Sequence, residues 1–324
     1  SILSHILYNS ELKFTSFIGG VLNKYESNII IRGSEIFIVE ADEYDKTFLK
    51  MKPNIASILN VDGDHYDIYD DIVDINNSFK KFANSLKKNG ILFHNSTLNF
   101  NGISFGKDSF ADAKIINKKN YNDKLVFDIQ YQNNVYKNIV LNMLGDHNAF
   151  NAMAAFIIAI SLDIESEVII KALKSFPGIK RRFSVELKNP KIFIDDYAHH
   201  PSEIESIYNS VKSLYPNKKK LVIFQPHLFS RTRDFLREFA EALEKFDKIA
   251  LLDIYPAREK PMTGVSSKSI FDKINNKNKV LIEKSEIPEL LFEDEHELVI
   301  SMGAGDIGDL VEKIKKTIID QNEN

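Results

Sequence analysis

The alternation of short apolar runs with helical patterns in the second half of the chain is the feature that most constrains its fold. Strand-like runs occupy residues 192–194, 221–224, 249–252 and 298–300, and helix-like stretches separate them. Strands and helices that alternate in this way form a mostly parallel sheet with helices packed on both faces. The pattern therefore predicts a doubly wound α/β domain with its own hydrophobic core.

The first half of the chain predicts a separate domain built from short strands and one strongly apolar helix. Residues 29–31 and 36–39 suit two strands joined by a turn, and residues 55–61 suit a continuous strand buried on both faces of a parallel sheet. Residues 99–140 are polar and rich in Asn and Lys, which indicates a peripheral antiparallel sheet rather than core. The apolar residues between 148 and 162 predict a helix.

A break in the pattern at residues 175–178, Ser-Phe-Pro-Gly, marks the boundary between these domains. A chain of 324 residues is too long for one ordinary core, whereas two domains of roughly 150 residues each account for its length. We therefore place the domains at residues 1–177 and 178–324.

Charge and composition exclude several classes of partner and site. The chain carries 42 basic and 46 acidic residues, and this formal net charge of -4 would not gather a nucleic acid or an anionic membrane. It contains no cysteine, which excludes disulfides, thiolate zinc sites and a cysteine nucleophile. Neither a membrane-length apolar run nor a charged secretory start is present, so a cytoplasmic protein is expected.

Acidic residues and a histidine follow two predicted strands of the first domain. Glu40 opens the run Glu-Ala-Asp-Glu, and His65 closes the run Asp-Gly-Asp-His. Ligands of open α/β sheets bind at the carboxyl ends of strands, so we expect Glu40 and His65 on adjacent strand ends, sharing one divalent cation. Alternatively, the acids are solvated loop residues and His65 has a capping or packing role.

The densest group of polar residues lies at residues 195–201, which read Asp-Asp-Tyr-Ala-His-His-Pro directly after a predicted strand. Two acids, a tyrosine and two histidines at a strand end supply a base, a cation ligand or an orienting group. Alternatively, Asp195 or Asp196 caps the helix that follows, and the histidines are structural. The density of the group favours a functional role.

Two runs that are rich in arginine provide candidate anion-binding residues. Arg181 and Arg182 lie near the predicted domain boundary, where guanidinium groups could clamp a phosphoryl group. Arg231 and Arg233 follow a predicted strand near a helix start, where free N–H groups and a guanidinium suit a substrate carboxylate. The alternatives are an exposed basic turn and surface ion pairs with neighbouring acids.

The order of these motifs along one chain resembles the Mur ligases, which build the peptide stem of bacterial cell wall precursors. The resemblance rests on the runs at residues 40–43, 60–65, 145–151, 181–183, 195–201 and 225–233. Further similar runs at residues 255–259 and 302–306 extend it over essentially the whole chain. Within the family, the two runs Asp-Asp-Tyr-Ala-His-His-Pro and Phe-Gln-Pro-His are most similar to the member that adds L-alanine.

The resemblance implies a three-domain enzyme with an N-terminal domain for a UDP-sugar, a central ATPase domain and a Rossmann-like C-terminal domain for the incoming amino acid. Residues 1–177 would be the central ATP-binding domain with a parallel or mixed sheet, truncated at its start, and residues 178–324 the C-terminal domain. In the family a glycine-rich phosphate loop precedes the helix with which this chain begins, and these residues contain none. We therefore expect this polypeptide alone to bind ATP weakly and to be inactive.

The resemblance also implies the reaction and the residues that carry it. ATP and Mg²⁺ would support amide bond formation between UDP-N-acetylmuramate and L-alanine through an acyl phosphate. The implied catalytic residues are Glu40, His65, Arg182 and Asp196, of which Glu40 and His65 would hold the metal and Arg182 would lie across the cleft. The implied ATP contacts are His147, Asn148, Asn151, Arg182 and Asp196. The implied alanine pocket consists of Tyr197, His199, His227 and Arg231. Many family members carry arginine where this chain has Leu228, so the pocket would rely on Arg231 and His227.

Other functions remain open at this point. A recycling ligase that attaches a preformed tripeptide to the same sugar shares most of these motifs, and a larger cavity around Tyr197 and His199 would favour it. The folylpolyglutamate synthetase relatives are a poorer match to residues 195–201. A chain without its phosphate loop could also be a non-catalytic binding or scaffolding module.

Overall fold

The structure is a computed structural model that describes residues 1–61, 68–121, 124–293 and 295–323. The chain divides into two compact units, Ser1–Ile179 and Lys180–Asn324. The division lies close to the boundary placed at residues 177 and 178 from the sequence, and each unit has its own hydrophobic core.

The first unit begins with helix α1 (Ile2–Tyr8) and a three-stranded sheet. Its strands are β1 (Phe14–Leu22), β2 (Ser27–Ile31) and β3 (Ile36–Val39), in the order β2-β1-β3. The predicted strands β2 and β3 exist, but they do not pair with each other, because β1 lies between them. The sequence did not reveal β1 because the pair Gly19-Gly20 interrupts its apolar pattern.

The first unit also contains a six-stranded sheet, whose strands follow each other in chain order. They are β4 (Ile55–Ile58), β5 (Ile91–Asn95), β6 (Ile103–Gly106), β7 (Ala113–Asn120), β8 (Leu125–Tyr131) and β9 (Asn134–Leu141). The first four are parallel, and β7, β8 and β9 are antiparallel. A 3-10 helix (Tyr44–Lys50) and helices α2 (Ile72–Asn84), α3 (Asp146–Ser161) and α4 (Ser166–Lys174) complete the unit.

Two expectations for this sheet were wrong. Strand β4 ends at Ile58 and forms an edge of the sheet, with alternate residues only partly buried, so it is not buried on both faces. Strands β8 and β9 are not peripheral, because buried residues such as Phe127 and Ile129 belong to the main core that also contains α3. The polar residues of this region, such as Asp128 and Gln130, lie on the opposite face of β8. They make the composition of the region polar, so the composition did not reveal that the other face of β8 belongs to the core.

The second unit contains a six-stranded sheet in the order β10-β11-β15-β12-β13-β14. Its strands are β10 (Ser184–Leu187), β11 (Ile192–Asp196), β12 (Lys220–Phe224), β13 (Lys248–Leu251), β14 (Lys279–Leu281) and β15 (Leu298–Met302). All neighbouring pairs are parallel except β10 and β11. The helices are α5 (Pro201–Leu214), α6 (Phe229–Asp234), α7 (Leu236–Leu243), α8 (Ser267–Phe271), α9 (Ile287–Glu293) and α10 (Val311–Glu323). Short 3-10 helices occupy Lys284–Glu286 and Asp306–Leu310.

Alternate residues of these strands supply two separate apolar layers. Ile192 and Ile194 pack with α5, α7 and α8, whereas Phe193 between them packs with α9 and α10. This alternation places helices on both faces of a mostly parallel sheet, as a strand period of two requires. The predicted doubly wound domain is confirmed.

No helix within the described ranges combines the length and the apolar character that a bilayer crossing demands.

Candidate functional site

The main group of predicted site residues lies at the carboxyl ends of β11, β15 and β12. Strand β15 enters the sheet between β11 and β12. Helix α5, which follows β11, covers one face of the sheet, and α10, which follows β15, covers the other. The chain therefore leaves neighbouring strands in opposite directions, and open α/β sheets bind ligands at this kind of switch point.

Two buried carboxylates lie at the end of β11, and each accepts two hydrogen bonds. Asp195 accepts from Ser301 Oγ at 2.6 Å and from Arg181 Nε at 3.0 Å. Asp196 accepts from the backbone N–H groups of Phe183 at 2.6 Å and Ala198 at 2.7 Å. Burial raises the pKa of Asp196 to about 6, although these N–H groups favour its charged form. Helix α5 begins after His200, so the helix-capping role considered for Asp195 or Asp196 is wrong.

The two adjacent arginines have different environments. Arg181 donates to the carbonyl oxygens of Gly303 at 2.6 Å and Gly305 at 3.4 Å, in addition to its bond to Asp195. It joins the turn before β10 to the ends of β11 and β15, a bracing role that the sequence did not reveal. The side chain of Arg182 is half exposed, and its Nη1 lies 3.9 Å from Glu203 Oε1. Arg182 is therefore the one of the pair that faces solvent.

Tyr197 and His199 lie side by side after the carboxylates, with ring centroids 5.4 Å apart. Both guanidinium groups, of Arg181 and Arg182, lie over the Tyr197 ring, at 5.3 and 5.5 Å from its centroid. His199 Nδ1 is 2.9 Å from the Tyr197 carbonyl oxygen, which favours the tautomer with a proton on Nδ1 and a lone pair on Nε2. Burial lowers the pKa of His199, and the nearby carboxylate of Glu203 opposes this shift.

His227 and Arg231 extend this group from the end of β12. Arg231 is buried, with 8% of its surface exposed, and its Nη1 lies 3.4 Å from His227 Nδ1. The His227 ring stacks on Tyr255 and lies 5.8 Å from the His199 ring, measured between centroids. Burial and the positive charge of Arg231 lower the pKa of His227 to about 4, together with the influence of His199. The four residues predicted for the alanine pocket are thus brought together, and their role stays a prediction.

The start of α6 differs from the expectation. The backbone N–H of Ser230 donates to Glu259 Oε2 at 3.0 Å, and the Ser230 hydroxyl donates to Glu259 Oε1. This N–H group is therefore not free for a substrate carboxylate. The sequence had suggested that it would be free, and that expectation was wrong. The alternative of surface ion pairs with neighbouring acids is confirmed for Arg233, whose Nε donates to Asp234 Oδ1 at 2.7 Å, whereas Arg231 is buried.

Gln225 is a buried residue that sequence reasoning quoted in a motif but did not select. Its Nε2 donates to Asp306 Oδ1 at 2.8 Å, and its Oε1 accepts from the Ile307 N–H at 3.0 Å. These bonds hold the segment after β15 against the end of β12. The available signal was an amide residue directly after a predicted strand. Its role was not evident from the sequence because its hydrogen-bond partner, Asp306, lies 81 residues away.

In the first unit, Glu40 lies exposed at the end of β3, and its Oε2 accepts from the Gly19 N–H at 2.8 Å. His65 lies outside the described residues. Strands β3 and β4, which precede the two residues, belong to different sheets and are not neighbours in one sheet, and the cation shared by Glu40 and His65 stays a prediction. The neighbour of β3 is β1, which pairs with it in parallel, and the sequence did not reveal this pairing. Across the described parts of the chain, no three potential metal ligands converge.

The predicted ATP contacts of the first unit lie at the start of α3. Asn148 is buried, and its Nδ2 donates to the Leu144 carbonyl oxygen at 2.7 Å. The His147 ring lies against Gly145, where it would clash with a Cβ atom, and the φ of +96 at Gly145 also favours glycine. Asn151 is half buried in the following turn. Lys107 and Lys118 both pair with Asp146, and these bonds lower its pKa. No contact with a nucleotide tests these assignments, which stay predictions.

Comparisons with known proteins agree with this architecture. The Mur ligase middle domain matches residues 8–159, and the Mur ligase glutamate ligase domain matches residues 181–305. The UDP-N-acetylmuramate–L-alanine ligase of Christiangramia forsetii is 45% identical over 320 residues, which are 98% of this chain and 71% of that protein. The enzyme of the same name from Flavobacterium psychrophilum is 45% identical over 319 residues, with the same coverage of 98% and 71%.

Solved structures give the same result. The UDP-N-acetylmuramate–alanine ligase of Thermotoga maritima superposes with a TM-score of 0.80 at 25% identity, over 100% of this chain and 72% of that one. The MurF ligase of Thermotoga maritima, solved in complex with ADP, shares the fold with a TM-score of 0.71 at 17% identity, over 99% and 76% of the two chains. This chain therefore belongs to the Mur ligase family.

Proposed function

We propose that this protein catalyses ATP-dependent amide bond formation between UDP-N-acetylmuramate and L-alanine, a step of peptidoglycan synthesis. The observation that carries the proposal is the 45% identity, over 98% of the chain, to ligases of that name. Successive contacts also support the proposal: Tyr197 contacts His199, His199 contacts His227, and His227 contacts Arg231. These contacts bring a cation and two imidazoles into one small region.

The first step is phosphoryl transfer. An oxygen of the lactyl carboxylate attacks the γ-phosphorus of ATP, the bond from that phosphorus to the β-bridging oxygen breaks, and ADP leaves an acyl phosphate behind. Such transfer depends on positioning and on neutralising charge. The half-exposed guanidinium of Arg182 is suited to the transferred phosphoryl group, whereas Arg181 is already committed to Asp195 and two carbonyl oxygens. Asp196 retains acceptor capacity on each oxygen and could help to position the nucleotide.

Magnesium is the metal that this chemistry implies, and Glu40 fits one of its ligand positions. The carboxylate is exposed at a strand end, and only its Oε2 is engaged by the Gly19 N–H. Mg²⁺ in phosphoryl-transfer sites takes one or two carboxylates beside phosphates and waters, so a single described carboxylate suffices. When bound, the ion would neutralise the charge of the phosphates. Glu40 would hold it, and His65 is the second ligand that we propose.

The second step uses the amino acid. The amine of L-alanine attacks the acyl carbon, and the bond from that carbon to the phosphate oxygen breaks, releasing inorganic phosphate and one proton from the nitrogen. Arg231 would bind the carboxylate of alanine. Burial lowers the pKa of His199 and of His227, which favours the neutral imidazoles, so each ring can accept a hydrogen bond.

Substrate dependence of phosphate release tests the proposal. The protein at its natural length is supplied with ATP, UDP-N-acetylmuramate and either L-alanine or the preformed stem tripeptide. We expect phosphate release that requires L-alanine and no release with the tripeptide. Release with the tripeptide alone would identify the recycling ligase, and no release with either acceptor would indicate a non-catalytic module.

A further inference from the structure

The turn at residues 255–259 is fastened to the segment that carries the proposed alanine pocket. At its start, the Tyr255 N–H donates to the Pro226 carbonyl oxygen at 2.8 Å, and the Leu228 N–H donates to the Tyr255 carbonyl oxygen at 3.0 Å. At its end, the Glu259 carboxylate holds the N–H and the hydroxyl of Ser230. Both ends of the turn therefore lie against residues 226–230.

The interior of the turn is equally constrained. The Glu259 N–H donates to the Pro256 carbonyl oxygen at 2.9 Å, and Ala257 has a φ of +47, in the left-handed region. Such a conformation is uncommon for a non-glycine residue and persists where surrounding bonds fix it. Because Arg258 stands between Ala257 and Glu259, these bonds also restrict its backbone relative to residues 226–230.

Arg258 and Arg231 act on the same imidazole. The positive charges of both arginines lower the pKa of His227, after the larger effects of burial and of His199. The same turn contacts this imidazole directly, because the Tyr255 ring stacks on the His227 ring with centroids 5.7 Å apart. Leu228, next to His227, is buried and apolar, so it contributes no charge to the pocket.

We propose that Arg258 binds the carboxylate of the amino acid substrate together with Arg231, and that Glu259 positions Arg258 for this contact. This inference rests on the proposed function. A carboxylate has two oxygens and about four acceptor positions, which two guanidinium groups can share. The N–H of Ser230 at the start of α6 donates to Glu259, so it cannot bind the substrate carboxylate. The guanidinium of Arg258 would supply the hydrogen-bond donors that this N–H does not.

A purely structural role for Arg258 would give a different result from substrate binding. Its side chain is exposed, and exposed charges contribute little to folding stability. Arg258→Ala should therefore leave the melting temperature almost unchanged and should act on the affinity for the amino acid.

The experiment compares steady-state kinetics of the natural-length protein with those of single variants. Arg258→Ala should raise the KM for L-alanine by about tenfold or more, as expected for a lost charged hydrogen bond, with the KM for ATP unchanged. Arg258→Lys should lose less, because it keeps the charge without the planar fork. Arg233→Ala is the matched control, since it removes another exposed arginine, whose Nε donates to Asp234, and its KM values should equal those of the parent.

Glu259 is tested by a conservative pair of variants. Glu259→Ala should raise the KM for L-alanine, and Glu259→Gln, which keeps an acceptor for the Ser230 N–H, should restore part of the affinity. A KM for L-alanine that is unchanged in Arg258→Ala would overturn the role of Arg258 while leaving the proposed function intact. A parent protein without alanine-dependent phosphate release would overturn both.

Discussion

Arg181 and Asp195 form a buried ion pair, with Arg181 Nε donating to Asp195 Oδ2 over 3.0 Å. The Asp195 side chain is only 1% exposed and that of Arg181 21% exposed. The pair ties the turn before β10 to the end of β11, and its arginine continues to the carbonyl oxygens after β15. Arg181 therefore stabilises the switch point of the sheet, and its neighbour in the chain, Arg182, is a proposed catalytic residue.

Removal of Arg181 should destabilise the protein more than removal of its neighbour. Arg181→Ala leaves the Asp195 carboxylate buried without its cation, which typically costs about 3–5 kcal/mol. Arg182→Ala removes a half-exposed side chain and should cost less than about 1 kcal/mol. Urea unfolding of both variants measures the difference. Equal stability of the two variants would show that Arg181 is not a brace.

His5 should make the stability of the first unit depend on pH. The ring is buried, its Nδ1 lies 2.6 Å from the Tyr25 hydroxyl, and burial lowers its pKa from 6.5 to about 4. The unfolded chain therefore binds a proton at a higher pH than the folded chain. The stability that neutral His5 contributes is complete above pH 6.5 and is lost as the pH falls towards 4, by about 2 kcal/mol between about pH 7 and pH 5.

Comparison of the parent with His5→Gln isolates this effect, because glutamine does not titrate. Asp196 acts in the opposite direction, since its raised pKa favours the folded state as the pH falls, so the parent curve alone is insufficient. The variant should be less stable than the parent at neutral pH but should lose less stability on acidification. Parallel stability curves for parent and variant would contradict the assignment.

Glu40→Ala should lower turnover by orders of magnitude while the fold stays intact. The side chain is exposed and makes one hydrogen bond to the Gly19 N–H, so its removal should cost little stability. Turnover is measured at saturating substrates, and the Mg²⁺ concentration that gives half-maximal activity is measured in parallel. Glu43→Ala, in the same acidic run, is a control for loss of charge. Unchanged turnover in Glu40→Ala would leave Glu40 as a solvated loop acid.

Arg231→Ala should raise the KM for L-alanine by roughly tenfold or more and hardly change the KM for ATP. The reason is the loss of a charged hydrogen bond worth about 1.5–3 kcal/mol. Arg231 is buried, so a melting curve must show that the variant is folded, and Arg231→Lys provides a smaller change with the charge retained. If both variants use L-alanine as well as the parent does, His227 or His199 becomes the next candidate for the carboxylate.

The sequence predicted the second unit well because its strands alternate strictly between two apolar layers. The first unit was harder, because a paired glycine disguised β1 and because the polar face of β8 concealed its core face. Asp195 and Asp196 were found because they continue a strand directly. The choice between Arg181 and Arg182 depended on contacts made more than 120 residues away, which no local pattern contains.

The bond between Glu259 and Ser230 illustrates the same limit at the pocket. The two residues lie 29 positions apart, and only the folded sheet brings them together. The sequence therefore predicted a helix start open to a substrate carboxylate, whereas the structure fills it with the protein's own carboxylate. Long-range polar contacts of this kind require the register of the sheet, which local propensity does not determine.

The transfer of an oxygen isotope from substrate to phosphate tests the central claim most directly. UDP-N-acetylmuramate with an ¹⁸O-labelled lactyl carboxylate is incubated with ATP, L-alanine and the natural-length protein, and the released phosphate is analysed by mass spectrometry. Because the attacking carboxylate oxygen stays with phosphorus when the amine displaces phosphate, we predict one labelled oxygen in each phosphate, formed only when L-alanine is present. Unlabelled phosphate, or label that appears equally without L-alanine, would contradict the account.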